Sequence, residues 1–148
     1  MALGNLTYKT INKIAIMKTD LTAKAGYCLK LTNPYTVDIC GSVADRPYAV
    51  VTVGAPSITG TYPGQVLAGS LEIVDAYGAV VVAMAGGSGV TFGAAVEVFT
   101  DGTFQDVTGG AGDWIAGYAL SDAAAGESFL LSFTPVLCCA EAPTPPAP

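Results

Sequence analysis

Short runs of β-branched and aromatic residues, separated by glycines and other turn residues, dominate the chain from Gly26 to Phe133. The runs are about five residues long and recur every ~8–12 residues, which is the spacing of a sandwich or barrel. The predicted strands are Tyr27–Thr32, Tyr35–Cys40, Ala49–Val53, Gln65–Ala68, Leu71–Val74, Ala79–Ala83, Val96–Thr100, Thr103–Val107, Trp114–Leu120 and Phe129–Phe133. No long amphipathic helix is predicted. We therefore expect an all-β domain, either a small sandwich or a small barrel.

The turn dipeptide Asn33-Pro34 predicts a hairpin and also its register. The cross-strand pairs are then Leu31 with Val37, Lys30 with Asp38, Leu29 with Ile39, and Cys28 with Cys40. One register thus gives apolar pairs, an opposite-charge pair and a cysteine pair together. It brings Cys28 and Cys40 face to face, either as a disulfide or as two buried, inert thiols.

The two ends of the chain differ from this β-rich body. In residues 1–25 the apolar positions fit a loose helical spacing, Ile14 and Ile16 alternate, and Thr and Asn are frequent. We expect an extended arm over residues 1–25 that orders on a partner, with a short helix as the alternative. Residues 26–137 would form the β-rich domain. Residues 138–148 are rich in proline and are expected to form a flexible or polyproline II tail.

Charged residues make up only 12% of the chain, about half the usual share for a soluble domain. A small chain with so little charge either spans a membrane or is covered by other protein. No window reaches the ~18 uninterrupted apolar residues of a spanning helix, and the N-terminus carries no secretory pattern. We therefore expect a soluble protein, made in the cytoplasm, with much of its surface covered by protein and no membrane contact.

The sign of the charge changes along the chain. All six basic residues lie at or before Arg46, and every charged side chain after Arg46 is acidic. A basic head and an acidic body are typical of docking, and the body of another copy is one candidate partner for the head. The acidic body argues against nucleic-acid binding, because phosphate contact requires clustered Lys and Arg.

The sequence offers no convincing chemistry. It has no histidine, which removes the commonest general base and metal ligand. The four cysteines lack the paired short spacing of a zinc site. The glycine-rich runs are not followed by the Lys and helix of a phosphate loop. Acid pairs such as Asp101 with Asp106, or Asp113 with Asp122, are better explained as turn residues than as a glycosidase pair. We expect no enzyme, no cofactor and no metal.

An ordered set of weak motifs between Gly26 and Pro135 resembles the capsid cement, or decoration, proteins of tailed bacteriophages. The most specific part is Ile115-Ala116-Gly117-Tyr118-Ala119-Leu120, then Ala123-Ala124-Ala125-Gly126-Glu127, then a closing apolar strand. The other matching segments are Ala25-Gly26-Tyr27, Tyr62-Pro63-Gly64-Gln65-Val66, Asp75-Ala76-Tyr77-Gly78, Phe92-Gly93-Ala94-Ala95-Val96 and the Asp101-Gly102 hairpin. None of these motifs is catalytic. The resemblance covers about three quarters of the chain and leaves out the basic arm and the tail.

The resemblance implies a β-tulip-like domain that forms homotrimers on the outer surface of an icosahedral phage head. There it would clamp neighbouring subunits of the major capsid protein, using an N-terminal arm to reach across the shell. The residues chosen for that arm are Leu6, Tyr8, Lys9, Ile11, Lys13, Ile14, Ile16 and Lys18. The alternative is a phage surface module that recognises a host glycan or protein through exposed aromatic side chains.

Overall fold

The computed structural model describes residues 11–52, 66–110 and 112–138, and in these residues all regular structure is β. The ten strands are β1 (Ile11–Met17), β2 (Cys28–Asn33), β3 (Thr36–Ile39), β4 (Ala49–Val51), β5 (Leu71–Ala76), β6 (Ala79–Met84), β7 (Ala95–Val98), β8 (Phe104–Asp106), β9 (Trp114–Ala119) and β10 (Ser128–Leu137). The expectation of a small all-β fold is therefore confirmed. The described part of the chain holds no helix with the length and apolar character needed to span a bilayer.

The first sheet closes into a five-stranded barrel with the order β1-β3-β2-β4-β5. Closure depends on β1, which pairs antiparallel with β5 along its whole length and parallel with the start of β3. Side chains of alternate positions fill the barrel, because successive residues of a strand face opposite sides. The buried side chains of this interior are Ala15, Met17, Leu21, Leu29, Val37, Ala49, Val51 and Val74.

The second sheet has the order β6-β10-β9-β7-β8 and packs against the outside of the barrel. Phe104 lies at the centre of this interface, edge-on to Phe129 and Phe133 with ring centroids 6.1 and 6.5 Å away. Edge-to-face aromatic contacts of this kind add about 0.5–1.5 kcal/mol each beyond their buried area. The barrel contributes Cys28, Cys40 and Val50 to the same core.

The β2–β3 hairpin confirms the predicted register. Leu29 lies opposite Ile39, Lys30 opposite Asp38 and Leu31 opposite Val37. The cysteine pair follows, since the Cys40 amide donates to the Cys28 carbonyl at 2.9 Å. The ion pair, however, is made differently from the prediction: Lys30 reaches Asp45 at 2.9 Å, while Asp38 lies 3.8 Å from Lys18.

The predicted arm is wrong in part, because Ile11–Met17 forms β1 of the barrel. The β-domain therefore starts no later than Ile11 rather than at Gly26. The apolar pattern of β1 does not predict a barrel strand, for a physical reason. Ala15 and Met17 face the barrel interior, while Ile14 and Ile16 on the outer face are also apolar, so the strand lacks a clean two-residue alternation.

The strand predicted at Gln65–Ala68 is absent for the described residues 66–68, which form a turn segment. Val66 is nonetheless held in place, because its amide donates to the Thr22 hydroxyl at 3.0 Å instead of to a strand neighbour. Its carbonyl accepts the Leu21 amide at 2.8 Å. Of the predicted tail, Cys138 is described and buried, and residues 139–148 lie outside the described residues.

Gly117 in β9 is required by a close approach between strands. A Cβ placed on it would overlap the Ser132 carbonyl oxygen of β10, and its φ of 156° is already unusual for a residue with a side chain. We expect Gly117→Ala to lower the free energy of unfolding by about 2–4 kcal/mol through overpacking and backbone strain. Urea denaturation of the purified chain measures this change.

Gly126→Ala is the matched control, because Gly126 also has positive φ (88°) but a Cβ there would meet nothing within 4 Å. Only backbone strain remains, about 1 kcal/mol. Equal losses in the two variants would show that Ser132 does not exclude a side chain at Gly117.

Candidate functional site

A cleft lies beside the barrel, beyond the end of the β2–β4 pairing. β4 pairs with β2 at Cys28 and Leu29, and among the described residues the rest of β2 has no strand partner on that side. The opening has a volume of about 420 Å³. It is lined by Lys30, Leu31, Ala44, Asp45, Arg46, Tyr48 and Tyr77. We call these residues, together with Lys13 and Trp114 beside them, the cation–aromatic cleft.

Two tyrosines and a lysine form one wall of the cleft. The rings of Tyr48 and Tyr77 meet edge to face with centroids 6.1 Å apart. The Lys13 ammonium lies 5.6 Å from the Tyr48 ring centre and 5.8 Å from that of Tyr77. A cation within about 6 Å of a ring face is attracted by the quadrupole of the ring. Lys13 therefore has a defined position at the cleft instead of extending freely into water.

The opposite wall is fixed by an ion pair. Lys30 and Asp45 are 2.9 Å apart, and the Asp45 carboxylate also accepts the Gly41 amide at 2.9 Å. The hydrogen bond to Asp45 raises the pKa of Lys30 above its usual value. Burial acts to raise the pKa of Asp45, but the Lys30 ammonium and the Gly41 amide outweigh burial and lower it. Both groups are therefore charged at neutral pH, and they pin residues 41–45 over β2.

Arg46 connects the cleft to the second sheet. Its guanidinium lies 5.3 Å from the ring centre of Trp114, the first residue of β9. The Trp114 amide donates to the Val43 carbonyl at 2.8 Å, which holds this end of β9 against the same loop. The cleft therefore collects Lys13, Lys30 and Arg46, half of the six basic residues of the chain, against one carboxylate from Asp45.

A second exposed feature lies at the other end of β9. Phe92 is 67% exposed, and its loop is braced by two carboxylates. Asp106 accepts the Thr91 amide at 2.9 Å and the Thr91 hydroxyl at 2.7 Å, and Asp122 accepts the Phe92 amide at 2.8 Å. The Gly93 amide donates to the Ala119 carbonyl at 2.8 Å. We call this loop, residues 91–93, the Phe92 loop; it presents an aromatic ring to solvent on a well-bonded backbone.

A third feature is an aliphatic surface on the outside of the barrel. Ile14 and Ile16 of β1 are 56% and 38% exposed, and Leu71, opposite Ile16 on β5, is 43% exposed. Tyr35 lies beside them, because the Ile16 amide donates to its carbonyl at 2.7 Å. We call Ile14, Ile16 and Leu71 the aliphatic stripe. Contiguous exposed apolar side chains of this kind mark interaction surfaces more often than isolated ones do.

The residues predicted for the arm are not brought together. Leu6, Tyr8 and Lys9 lie outside the described residues. Ile14 and Ile16 belong to the aliphatic stripe, and Lys13 points to the cleft at the end of the barrel. Ile11 is exposed at the start of β1, and Lys18 pairs with Asp38 just after β1. Their proposed contact with a capsid stays a prediction.

The structure also finds site features that the sequence reading missed. The cleft joins residues that are far apart in the chain, and no local spacing links Lys13 to Tyr77 or Arg46 to Trp114. Only the clustering of all basic residues before Arg46 hinted at a shared basic surface. No local pattern predicts the Phe92 loop as a site, because its two bracing aspartates are 15 and 30 residues from the amides that they accept.

Buried carboxylates have structural partners instead of forming an acid–base pair. Glu97 accepts the Gln105 amide at 3.0 Å and the Thr108 hydroxyl at 2.8 Å, and its other oxygen has no partner among the described residues. Asp101 accepts from both the amide and the hydroxyl of Thr103. Within the described residues no group of acidic, cysteine or histidine side chains is arranged to hold a metal ion.

No family model and no curated protein matches this chain. Among solved structures, the chain is similar to the N base of the head fiber gp8.5 of bacteriophage phi29. The TM-score is 0.51 at 20% sequence identity, and the match covers 85% of this chain and 95% of that chain. At this identity the likeness shows a shared fold.

Cys28 and Cys40 are free thiols in this structure, with their sulfur atoms 3.5 Å apart and no exposed surface. A disulfide needs about 2.05 Å, so the predicted bond would require a small further approach. Burial is the main reason that the pKa of Cys28 is raised. We expect both thiols to resist alkylation in the native protein and to react after denaturation. Peptide mass spectrometry after iodoacetamide treatment, with and without prior reduction, measures both the protection and any disulfide.

Asp75 is buried on the outer side of β5, and burial raises its pKa above the usual value, against a weaker opposing effect of Thr52. A raised folded-state pKa favours the protonated form. The native state therefore loses stability as the pH rises through the folded-state pKa of Asp75. We expect the stability of Asp75→Asn relative to the natural chain to increase as the pH rises above the usual pKa of an aspartate. Urea unfolding at several pH values measures the difference, and a gain that is constant with pH would contradict the assignment.

Proposed function

We propose that this protein is a structural component of a tailed-phage head, a cement protein that binds the outer surface as a homotrimer and clamps neighbouring major capsid subunits. The observation that carries the proposal is the fold likeness to a phage head protein along nearly the whole length of both chains. The motif order described from the sequence supports the same class of protein. The role is non-enzymatic, and the virion is the expected location.

The aliphatic stripe is the surface that we propose for the capsid contact. It contains two of the residues chosen for the arm from the sequence, Ile14 and Ile16, now on a strand of the barrel. A strand fixed between two neighbours loses little conformational entropy on binding, which favours affinity over a flexible arm. Three copies of such a stripe on one trimer would act together, so modest single contacts are sufficient.

A second candidate function is the base of a fibre or surface-binding module. The similar phi29 protein is the base of a head fiber, which favours this function. The cation–aromatic cleft gives weaker support to glycan recognition, because Arg46 lies over the Trp114 ring and Lys13 over the Tyr48 and Tyr77 rings. A sugar would have to displace these cations to stack on the aromatic faces.

Binding to empty, expanded heads assembled from the major capsid protein of the same phage tests the proposal. We expect the natural chain to sediment with the heads and raise their melting temperature. Replacing Ile14 and Ile16 by threonine keeps two β-branched residues but removes apolar surface, and should weaken binding at least about tenfold. The matched control replaces Val136 and Leu137, which are 50% and 56% exposed on β10, by threonine.

Different results reject different parts of the proposal. No binding of the natural chain to heads, together with binding to a glycan array, would replace the cement function by the binding module. Normal head binding by the Ile14/Ile16 variant would keep the cement function and reject the aliphatic stripe as its contact surface.

A further inference from the structure

The cation–aromatic cleft and the Phe92 loop are chemically complementary. The cleft holds the cations Lys13 and Arg46 against the rings of Tyr48, Tyr77 and Trp114. The Phe92 loop offers one exposed aromatic ring flanked by the carboxylates of Asp106 and Asp122. An aromatic ring suits a pocket of arginine and tyrosine side chains, which are also the residues enriched at binding hot spots.

The cation–aromatic cleft and the Phe92 loop carry opposite charges. No lysine or arginine occurs after Arg46, so the segments around Phe92 contain only acidic charges. Around the cleft, Lys30 is neutralised by Asp45, while the charges of Lys13 and Arg46 have aromatic rings as their described neighbours. Contact between an acidic surface and this net positive cleft is electrostatically favourable, whereas two clefts or two Phe92 loops repel each other.

The two features cannot meet within one molecule. Trp114, the first residue of β9, lies at the cleft, and Ala119, the last residue of β9, bonds Gly93 of the Phe92 loop. Five residues of strand separate these points by about 17 Å at roughly 3.3 Å per residue. Because β9 pairs with both β7 and β10, this distance is fixed by the sheet.

We propose that the Phe92 loop of one copy inserts into the cation–aromatic cleft of a second copy, and that this contact builds the homotrimer. The inference rests on the proposed function for the existence of a trimer and supplies its interface. A contact between two different surfaces of identical chains is heterologous, and such contacts close into a ring when the rotation between copies allows it. A three-membered ring buries all three Phe92 side chains and all three clefts.

Two single variants test this contact on the full chain. Phe92→Ala removes the inserted ring but leaves the braced backbone, and Arg46→Glu puts a carboxylate where Asp106 and Asp122 would approach. We expect each variant alone to associate at least about tenfold more weakly than the natural chain, measured by sedimentation equilibrium. Tyr35→Ala is the control, because Tyr35 is an exposed aromatic residue in the turn between β2 and β3, outside both the cleft and the Phe92 loop. It should leave self-association unchanged.

Mixing the two variants gives the decisive result. The Phe92→Ala chain keeps an intact cleft and the Arg46→Glu chain keeps an intact Phe92 loop, so one contact can form between them. We expect 1:1 heterodimers, visible by native mass spectrometry, and no larger species. Trimers of either variant alone that are as stable as those of the natural chain, a mixture that stays monomeric, or a natural chain that is monomeric would each overturn the inference.

The head-binding experiment separates this inference from the proposed function. A Phe92→Ala chain that remains trimeric and still binds heads rejects only the proposed interface. A natural chain that forms the predicted ring through Phe92 but ignores heads rejects the cement function and leaves the interface standing.

Discussion

The fold depends on a barrel wall that is buried on both faces. In β2 and β4, Leu29, Ala49 and Val51 face the barrel interior, while Cys28 and Val50 face the second sheet. Because this wall belongs to both cores, neither sheet can move without exposing apolar surface of the other. Full burial of a valine-sized side chain is worth about 1.5–3 kcal/mol. The double burial therefore fixes how the barrel sits on the second sheet, and with it the distance between the cleft and the Phe92 loop.

Local sequence patterns were sufficient to predict the structure where it depends on a single turn or on one apolar face of a strand. The register of the β2–β3 hairpin from Leu29 to Leu31 could be predicted, because it satisfies several side-chain pairs at once. The shift beyond Leu31, where Asn33 pairs with Thr36, could not be predicted from those pairs. β1 could not be predicted as a barrel strand, since its outer face carries Ile14 and Ile16 and its partner β5 lies far away in the chain. Apolar residues on both faces of a strand usually mean full burial, so their exposure here could be seen only in the structure.

The candidate site was less predictable than the fold for a related reason. A cation–π contact needs two side chains within about 6 Å, and the cations and rings of the cleft that form such contacts come from β1, the loop before β4, the β5–β6 turn and β9. The sequence revealed only that basic and acidic residues are segregated. In the structure, the cation–aromatic cleft and the Phe92 loop lie at opposite ends of β9.

The pairing of β1 with β5 also has a consequence for synthesis. β1 leaves the ribosome before β5, and this strand, which covers most of the length of β1, begins only at Leu71. At about 5–20 residues per second, the segment between Met17 and Leu71 takes roughly 3–11 s to appear. During that interval only Ile16 and Met17 have a strand partner, at the start of β3, and the edge of β1 that carries Ile14 is unpaired. Nascent chains on one messenger are therefore exposed to each other at this strand, and chaperones or slow translation past Leu71 would set the yield of folded protein.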